Sequence, residues 1–318
     1  FLISKIKKNN FLLIGRAGID IYPDPPGTKT EQATNFVSHL GGSSANMGVE
    51  LVKFGGSCSL LTRVSDDALG KLVLNQLDLY GINKNLIKLE KKEARISFAI
   101  VESTIKDHQS IIYRHNAADL FLNNQDIESA QIHKFDCILI TGTSLAAEPS
   151  RSAVLYSLEL AKKNNIPVVM DIDYRPYTWE SYAKASEIYN IAIKNCSGVI
   201  GNDEEFGVLA GNKDGFNFAK KISSICDLVI YKKGEKGSIS FVENKEIYKG
   251  IFHVTPLKPT GAGDAFMGAL IGALLKDYDI EKSIEIGSAA AAIVVTKVGC
   301  SPAMPDLEEI LEFMKDRK

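Results

Sequence analysis

Cys137-Ile138-Leu139-Ile140 and Ile166-Pro167-Val168-Val169-Met170 are short apolar runs separated by a longer stretch of helical periodicity. A strand that is apolar on both faces is one covered on both sides, which is how parallel sheets are built. The same reading extends outward to residues 11–14 and 57–61 on one side and 198–200 and 228–231 on the other. Each run leads into turn residues and usually a helical period. Strands and helices alternating in this way predict an α/β protein, a three-layer α/β/α sandwich.

Two segments break that rhythm. Residues 93–102 and 110–115 alternate like strands and flank the polar stretch 103–109, so they predict a hairpin rather than a crossover. With residues 19–22 and 33–39 they would form a small β-sheet, a lid placed at the carboxyl ends of the main strands. The plainer alternative is an edge extension of the main sheet. No repeat, low-complexity tract or linker interrupts the chain, so one domain over residues 1–318 is expected, with lid segments at about 17–40 and 93–117. The C-terminal third reads as helices over 261–275, 280–298 and 306–315, and the small residues Ser288 to Ala292 suit close helix packing.

Composition excludes several classes. The 318 residues carry 37 Lys plus Arg and 39 Asp plus Glu, a formal charge of −2, which offers no field for nucleic acid or an anionic membrane. An anionic ligand must therefore be held by locally placed groups. The five cysteines, Cys58, Cys137, Cys196, Cys226 and Cys300, are scattered without zinc spacing and suit a reduced cytoplasmic compartment. The apolar runs are too short to span a bilayer, and no signal-peptide pattern is read. Five histidines, His39, His108, His115, His133 and His253, show no ligand spacing, although His115 follows Arg114 on the expected lid.

The sharpest motif is Pro259-Thr260-Gly261-Ala262-Gly263-Asp264-Ala265-Phe266, immediately before an apolar-periodic helix. Glycines permit a tight turn, and the first helical amides then point their N–H groups out at the positive end of the helix dipole. Such fixed donors suit a phosphoryl group in transfer, and a carboxylate in the first turn can accept a hydroxyl proton. Pro, Thr and an early Asp are equally good helix-start residues, so this motif alone leaves both readings open.

The second motif, Leu40-Gly41-Gly42-Ser43-Ser44-Ala45-Asn46, also stands at a helix entrance. Paired glycines let a hydroxylated ligand approach the main chain, and Asn46 can donate to and accept from sugar hydroxyls. A flexible turn with Ser44 as N-cap is the alternative. Neither loop fits G-x-G-x-x-G, and no G-x-x-x-x-G-K-[ST] occurs, which disfavours a dinucleotide-binding dehydrogenase or a P-loop enzyme.

Gly41-Gly42 with Asn46, the run Leu61-Thr62-Arg63-Val64-Ser65-Asp66-Asp67-Ala68-Leu69-Gly70, and Gly261-Ala262-Gly263-Asp264 resemble the two signatures of the ribokinase (PfkB) family, in the right order. The resemblance covers nearly the whole chain. It implies a sandwich with a β lid, a sugar bound beneath the lid, and ATP with Mg²⁺ beside the last helices. By position, Asp264 resembles the base and Gly261, Ala262 and Gly263 the anion hole. Asn202-Asp203-Glu204-Glu205 resembles the family's N-x-x-E, implying that Glu205 helps organise magnesium, often through water, and that Asn202 lies at the nucleotide. Lys232, Gly234 and Gly237 fall where the family's nucleotide loop lies, and Asp20 resembles its carboxylate to sugar hydroxyls. The family also implies a homodimer through the lids.

A narrower resemblance concerns the substrate. Gly15-Arg16-Ala17-Gly18-Ile19-Asp20, Tyr113-Arg114, Gly142-Thr143-Ser144-Leu145-Ala146, the stretch Asp171-Ile172-Asp173-Tyr174-Arg175 and Ala303-Met304-Pro305 resemble the branch acting on 5-dehydro-2-deoxygluconate in inositol catabolism. The sister 2-keto-3-deoxygluconate kinases have D-x-N-x-R where this chain has Asp173 at the middle position. Both branches use sugar acids. A guanidinium suits a carboxylate, which makes Arg114 and Arg175, with Asp173, the expected substrate contacts. The alternatives are a 2-keto-3-deoxygluconate kinase, a fructokinase, or a non-catalytic sugar or nucleotide sensor, against which Asp264 and the intact turn speak.

One departure from the family is informative. Its last signature usually opens on Asp-Thr, and here those positions are Lys258 and Pro259. In many members that Asp helps bind a monovalent cation. The ammonium of Lys258 is expected to supply that charge itself. Turnover should therefore be the same in potassium and in a bulky organic cation, and strong potassium activation would sink the idea.

Overall fold

The computed structural model describes residues 9–91, 93–211, 214–243 and 245–317. In chain order the elements are β1 (Asn10–Ile14), β2 (Gly18–Asp24), β3 (Asn35–Gly41), α1 (Ser43–Lys53), β4 (Ser57–Leu61), β5 (Arg63–Ser65), α2 (Ala68–Leu79), β6 (Lys88–Glu90), β7 (Phe98–Val101) and β8 (Ser110–Tyr113). There follow α3 (Asn124–Ala130), β9 (Cys137–Thr141), α4 (Ser150–Lys163), β10 (Val168–Asp171), α5 (Tyr182–Ile193), β11 (Gly198–Asn202), α6 (Asp203–Ala210), α7 (Gly215–Ile222), β12 (Leu228–Lys232), β13 (Ser238–Val242) and β14 (Lys245–Lys249). The chain closes with α8 (Ala262–Leu275), α9 (Ile280–Val294) and α10 (Leu307–Lys315). They divide into two compact units: β1 with α3 to β14, and β2 to β8 with α8 to α10.

In the first unit the strands run in the order β14-β13-β12-β11-β10-β9-β1. The pairings from β1 through β9, β10 and β11 to β12 are parallel, and β13 and β14 extend the edge as antiparallel strands. Every residue of β9 and β10 is buried, as expected of strands covered on both faces. Helix starts are set by side chains that accept otherwise unpaired amides: Asn123 with Asp126 at α3, and Asn202 with Glu205 at α6, form capping boxes.

In the second unit β3-β2-β7-β8 form a separate four-stranded sheet. Its β7–β8 pairing is antiparallel, as the hairpin reading predicts. The pleat sends Asp20, Tyr22, Ala99 and Val101 to one side, where all are buried. Neighbours in register, Ile21, Ile100 and Ile111, point to the other. Beneath the helical part, Gly268 and Gly272 let α8 lie directly on α1. A β-carbon at Gly268 would stand 2.6 Å from that of Glu50, and one at Gly272 would meet the Phe54 ring. Close packing also explains the small residues of α9, of which Ala289, Ala290 and Ala292 are buried.

Three expectations change in detail. The helix read over 280–298 ends at Val294, with Val295 as its C-cap, and the chain continues in turns to Gly299 at φ +77°. The N-cap of α1 is Gly42 at φ +96°, and Ser44 lies inside the helix. The short β5–β6 pair and β14 carry too few apolar residues to be read from the sequence.

Glu50 lies in this helical interface with neither carboxylate oxygen hydrogen-bonded. Burial holds its pKa well above the ordinary 4.5; Lys53 opposes that shift, while Glu309 and Asp306 add to it. A group raised on folding is fully compatible with the fold below its unfolded pKa, and its cost grows as pH rises from there toward the folded value. Glu50→Met, which keeps the volume and removes the orphaned oxygens, should stabilise the protein by about 1–3 kcal/mol at pH 8. Thermal melts should show that gain shrinking toward pH 5.

Candidate active site

The second unit carries the Gly261-Ala262-Gly263-Asp264 motif. Gly261 stands at the N-cap of α8 with φ +87°, a conformation that glycine adopts without strain. A β-carbon there would lie 2.8 Å from the Cys300 sulfur and 3.0 Å from Val294. Asp264 follows in the first turn. Its Oδ2 accepts a hydrogen bond of 2.8 Å from Asn46 Nδ2, and Asn46 Oδ1 accepts one of 2.7 Å from Ser301 Oγ. The relay fixes one carboxylate oxygen of Asp264 from α1 and from the turn after α9. Asn46 is only 3% exposed, and its amide nitrogen and oxygen each hold a partner in this relay. Ser301 carries no motif of its own and was not foreseen.

The glycine pair is explained by what lies against it. A β-carbon on Gly41 would overlap the Asp20 carboxylate, and one on Gly42 would overlap the main chain of Arg16 and Ala17. Asp20 is buried, and burial raises its pKa against the lowering influence of Arg16, a Tyr22 hydrogen bond and Lys258. Tyr22 Oη reaches Asp20 Oδ2 at 3.5 Å and the Cys300 sulfur at the same distance. Burial pushes the Cys300 thiol up to about 11.

Lys258 is wholly buried and its Nζ donates to the carbonyls of Thr260 at 2.8 Å and Val294 at 3.1 Å. Burial lowers its pKa, opposed by Cys300, Asp20 and Asp264. The ammonium thus ties the residue preceding the Gly261 turn to the end of α9.

Arg114 lies in the same unit but is taken up by Asp119, which accepts from both Nε, at 3.0 Å, and a terminal nitrogen. Its expected role as a carboxylate receptor meets a carboxylate already in place.

The first unit carries the remaining candidates on loops after its parallel strands. Asp171 ends β10 and Asp173 follows at φ +40°. Arg175 pairs with Asp173 Oδ1 at 2.7 Å, and Thr143 Oγ1 donates to Asp173 Oδ2 at 3.2 Å. Arg175, unlike Arg114, leaves its side chain 45% exposed. Glu205 accepts from the Asn202 amide at 2.7 Å and the Tyr174 amide at 3.2 Å, one on each oxygen. Burial, then Asp171, push Glu205 up to about 7, with Lys232 and the Asn202 amide opposing and Asp173 reinforcing. Among the described residues no group of three or more His, Cys, Asp or Glu is arranged to hold a metal ion. Direct coordination by Glu205 would have to compete with two amides. Gly234 and Gly237, both at positive φ, form the turn joining β12 to β13, and a β-carbon at Gly237 would overlap the Lys249 carbonyl.

A phosphate-suited helix start, a tethered carboxylate and a sugar-suited glycine turn are the parts of a phosphotransferase. The pfkB family of carbohydrate kinases matches residues 8–307, and the chain belongs to that family. It is 34% identical over 319 residues to the 5-dehydro-2-deoxygluconokinase of Geobacillus kaustophilus, covering 98% of this chain and 95% of that protein. To the protein of the same name from Photobacterium profundum it is 36% identical over 314 residues, covering 96% and 95%. Among solved structures, the fructokinase of Xylella fastidiosa superposes with a TM-score of 0.85 at 19% identity, covering 97% of this chain and 99% of that one. The likeness establishes the ribokinase-like α/β fold. No helix among the described residues is long and apolar enough to cross a membrane.

Proposed function

We propose that this carbohydrate kinase transfers the terminal phosphoryl group of MgATP to the terminal hydroxyl of 5-dehydro-2-deoxy-D-gluconate, giving the 6-phosphate. The relatives carrying that name, at 34–36% identity over nearly the full chain, support the substrate. The reaction is carried by one observation: Asp264, tethered through Asn46, stands in the first turn of a helix whose N-cap, Gly261, places no capping side chain over the helix start.

Asp264 takes the hydroxyl proton as the oxygen attacks the γ-phosphorus. The bond to the β-phosphate oxygen breaks, and ADP leaves with that electron pair. The amides at Gly261, Ala262 and Gly263 donate to the charge spread over the transferring group. Asp20, Gly41 and Gly42 bind sugar hydroxyls, and Asp173 and Arg175 serve the substrate as well. Asn202, Lys232, Gly234 and Gly237 serve the nucleotide. Magnesium keeps several waters and prefers phosphate oxygens, so Glu205, whose oxygens already accept amides, would help organise it through its water shell. The sheet β3-β2-β7-β8 serves as the lid of one domain. Five buried, unpaired cysteines suit the cytoplasm.

ADP release should be measured against 5-dehydro-2-deoxygluconate, 2-keto-3-deoxygluconate and fructose. The first should have the highest kcat/KM, and a preference for either other sugar would replace the substrate named here. Asp264→Asn should cut kcat by about 10²–10⁴-fold while sugar binding persists; a variant that turns over normally would refute the mechanism.

The chain is further read as a homodimer through the outer face of the lid. Phe36, Ile111 and Tyr113 are 45%, 40% and 50% exposed there, and Phe98 stacks on Tyr113 at 4.8 Å. Apolar side chains gathered on one sheet face suit a self-complementary contact. Light scattering should give a dimer that Ile111→Lys converts to monomer, and a monomeric parent would end this reading.

A further inference from the structure

Three arginines are buried among the described residues, and their surroundings differ. Arg114 is paired with Asp119. Arg151 donates to the carbonyls of Leu145 at 3.0 Å and Ala146 at 2.6 Å, reaches Glu180 at 3.4 Å, and lies over the Trp179 ring. Arg16 is 8% exposed and makes one side-chain hydrogen bond, from a terminal nitrogen to Ser97 Oγ at 3.3 Å. No carboxylate stands within ion-pairing reach of it among the described residues, although Asp20 is near enough to be stabilised by its charge.

A guanidinium has five N–H donors and is always charged. Burying it with one long hydrogen bond costs desolvation that nothing in the chain fully returns. Its position is not accidental. The Arg16 carbonyl accepts from the Ala45 amide at 3.4 Å, and its main chain fills the space that Gly42 leaves open. Arg16 is therefore locked against the sugar-suited glycine turn, between that turn and the first lid strand. None of its remaining nitrogens is a fully enclosed, partnerless atom. They have access to a ligand.

We propose that Arg16 is the residue that recognises the carboxylate of the sugar acid, through charge-assisted hydrogen bonds that supply the partner the fold omits. The inference rests on the sugar-acid reading above and adds to it the group that selects acid over neutral sugar. It moves that role away from Arg114, whose guanidinium Asp119 occupies.

The test compares kcat/KM for 5-dehydro-2-deoxygluconate with that for its counterpart whose carboxylate is reduced to a primary alcohol. In Arg16→Gln the acid-to-alcohol ratio should fall on the order of 100-fold, because a site built to pair a charge discriminates strongly against its absence. Arg16→Lys keeps the charge but not the fork, and should fall on the order of 10-fold. An acid-to-alcohol ratio within twofold of the parent in the folded variants would overturn the proposal, as would equal losses on both substrates. Should Arg16→Gln fail to fold, the ratio in Arg16→Lys decides in the same way. A parent enzyme that turns over the alcohol but not the acid would remove the sugar-acid reading itself. A parent that prefers the acid, with unmoved variants, would remove only the role of Arg16.

Discussion

The absence of two β-carbons, at Gly41 and Gly42, is the constraint on which the catalytic unit depends. Space that side chains would fill is taken by the Asp20 carboxylate on one side and by the Arg16 and Ala17 main chain on the other. The turn from β3 into α1 can therefore sit flush against β2 and the segment before it. One turn into that helix, Asn46 reaches Asp264. A bulkier turn would lift α1 and break the bond that orients Asp264. Asp20 and Asp264 are thus coupled through steric necessity at two positions, and in a reacting site a misplacement of about 1 Å can cost on the order of 10²-fold in rate.

The same unit concentrates buried charge: Asp20, Lys258 and Arg16 are each less than a tenth exposed. Isolated charges in such surroundings are costly unless paired and hydrogen-bonded. Lys258 meets that condition with carbonyl oxygens, which accept from an ammonium without adding a charge of their own. Its field also reaches Asp20 and Asp264, so the carboxylates help keep the ammonium protonated while burial works against it. Glu50, by contrast, has no such partners and no part in the chemistry. The contrast separates buried charge held in a network from buried charge tolerated by packing.

The α/β architecture was legible because its central parallel strands are mostly apolar and alternate with helical periods. The glycine-led helix starts at Gly42 and Gly261 were legible because the backbone there takes positive φ values that glycine adopts without strain. Partnerships across long sequence separation were not. Nothing in the local sequence pairs Arg114 with Asp119 rather than with a ligand, or tells that Ser301 supports Asn46 from 255 positions away. The role of Glu205 was blurred for a related reason. An acid three residues after Asn is both a capping box and a metal-site motif, and here each oxygen accepts a main-chain amide. Arg16 was visible as a residue of a resembling stretch, yet its significance lies in missing partners, which a sequence does not display.

A net charge of −2 says that long-range attraction contributes little to capturing an anionic substrate, so discrimination has to arise at contact distance. The fold arranges for this by giving the other buried cations, Arg114, Arg151 and Lys258, an internal carboxylate or carbonyls and leaving Arg16 underserved beside the Gly41-Gly42 turn. Desolvation then works in favour of selectivity. A neutral sugar entering beside Arg16 would bury the guanidinium further without pairing it, whereas a carboxylate would complete it. The glycine pair that fixes the base through Asn46 fixes Arg16 as well, so a single local geometry orients the proton acceptor and the acid-recognising group together.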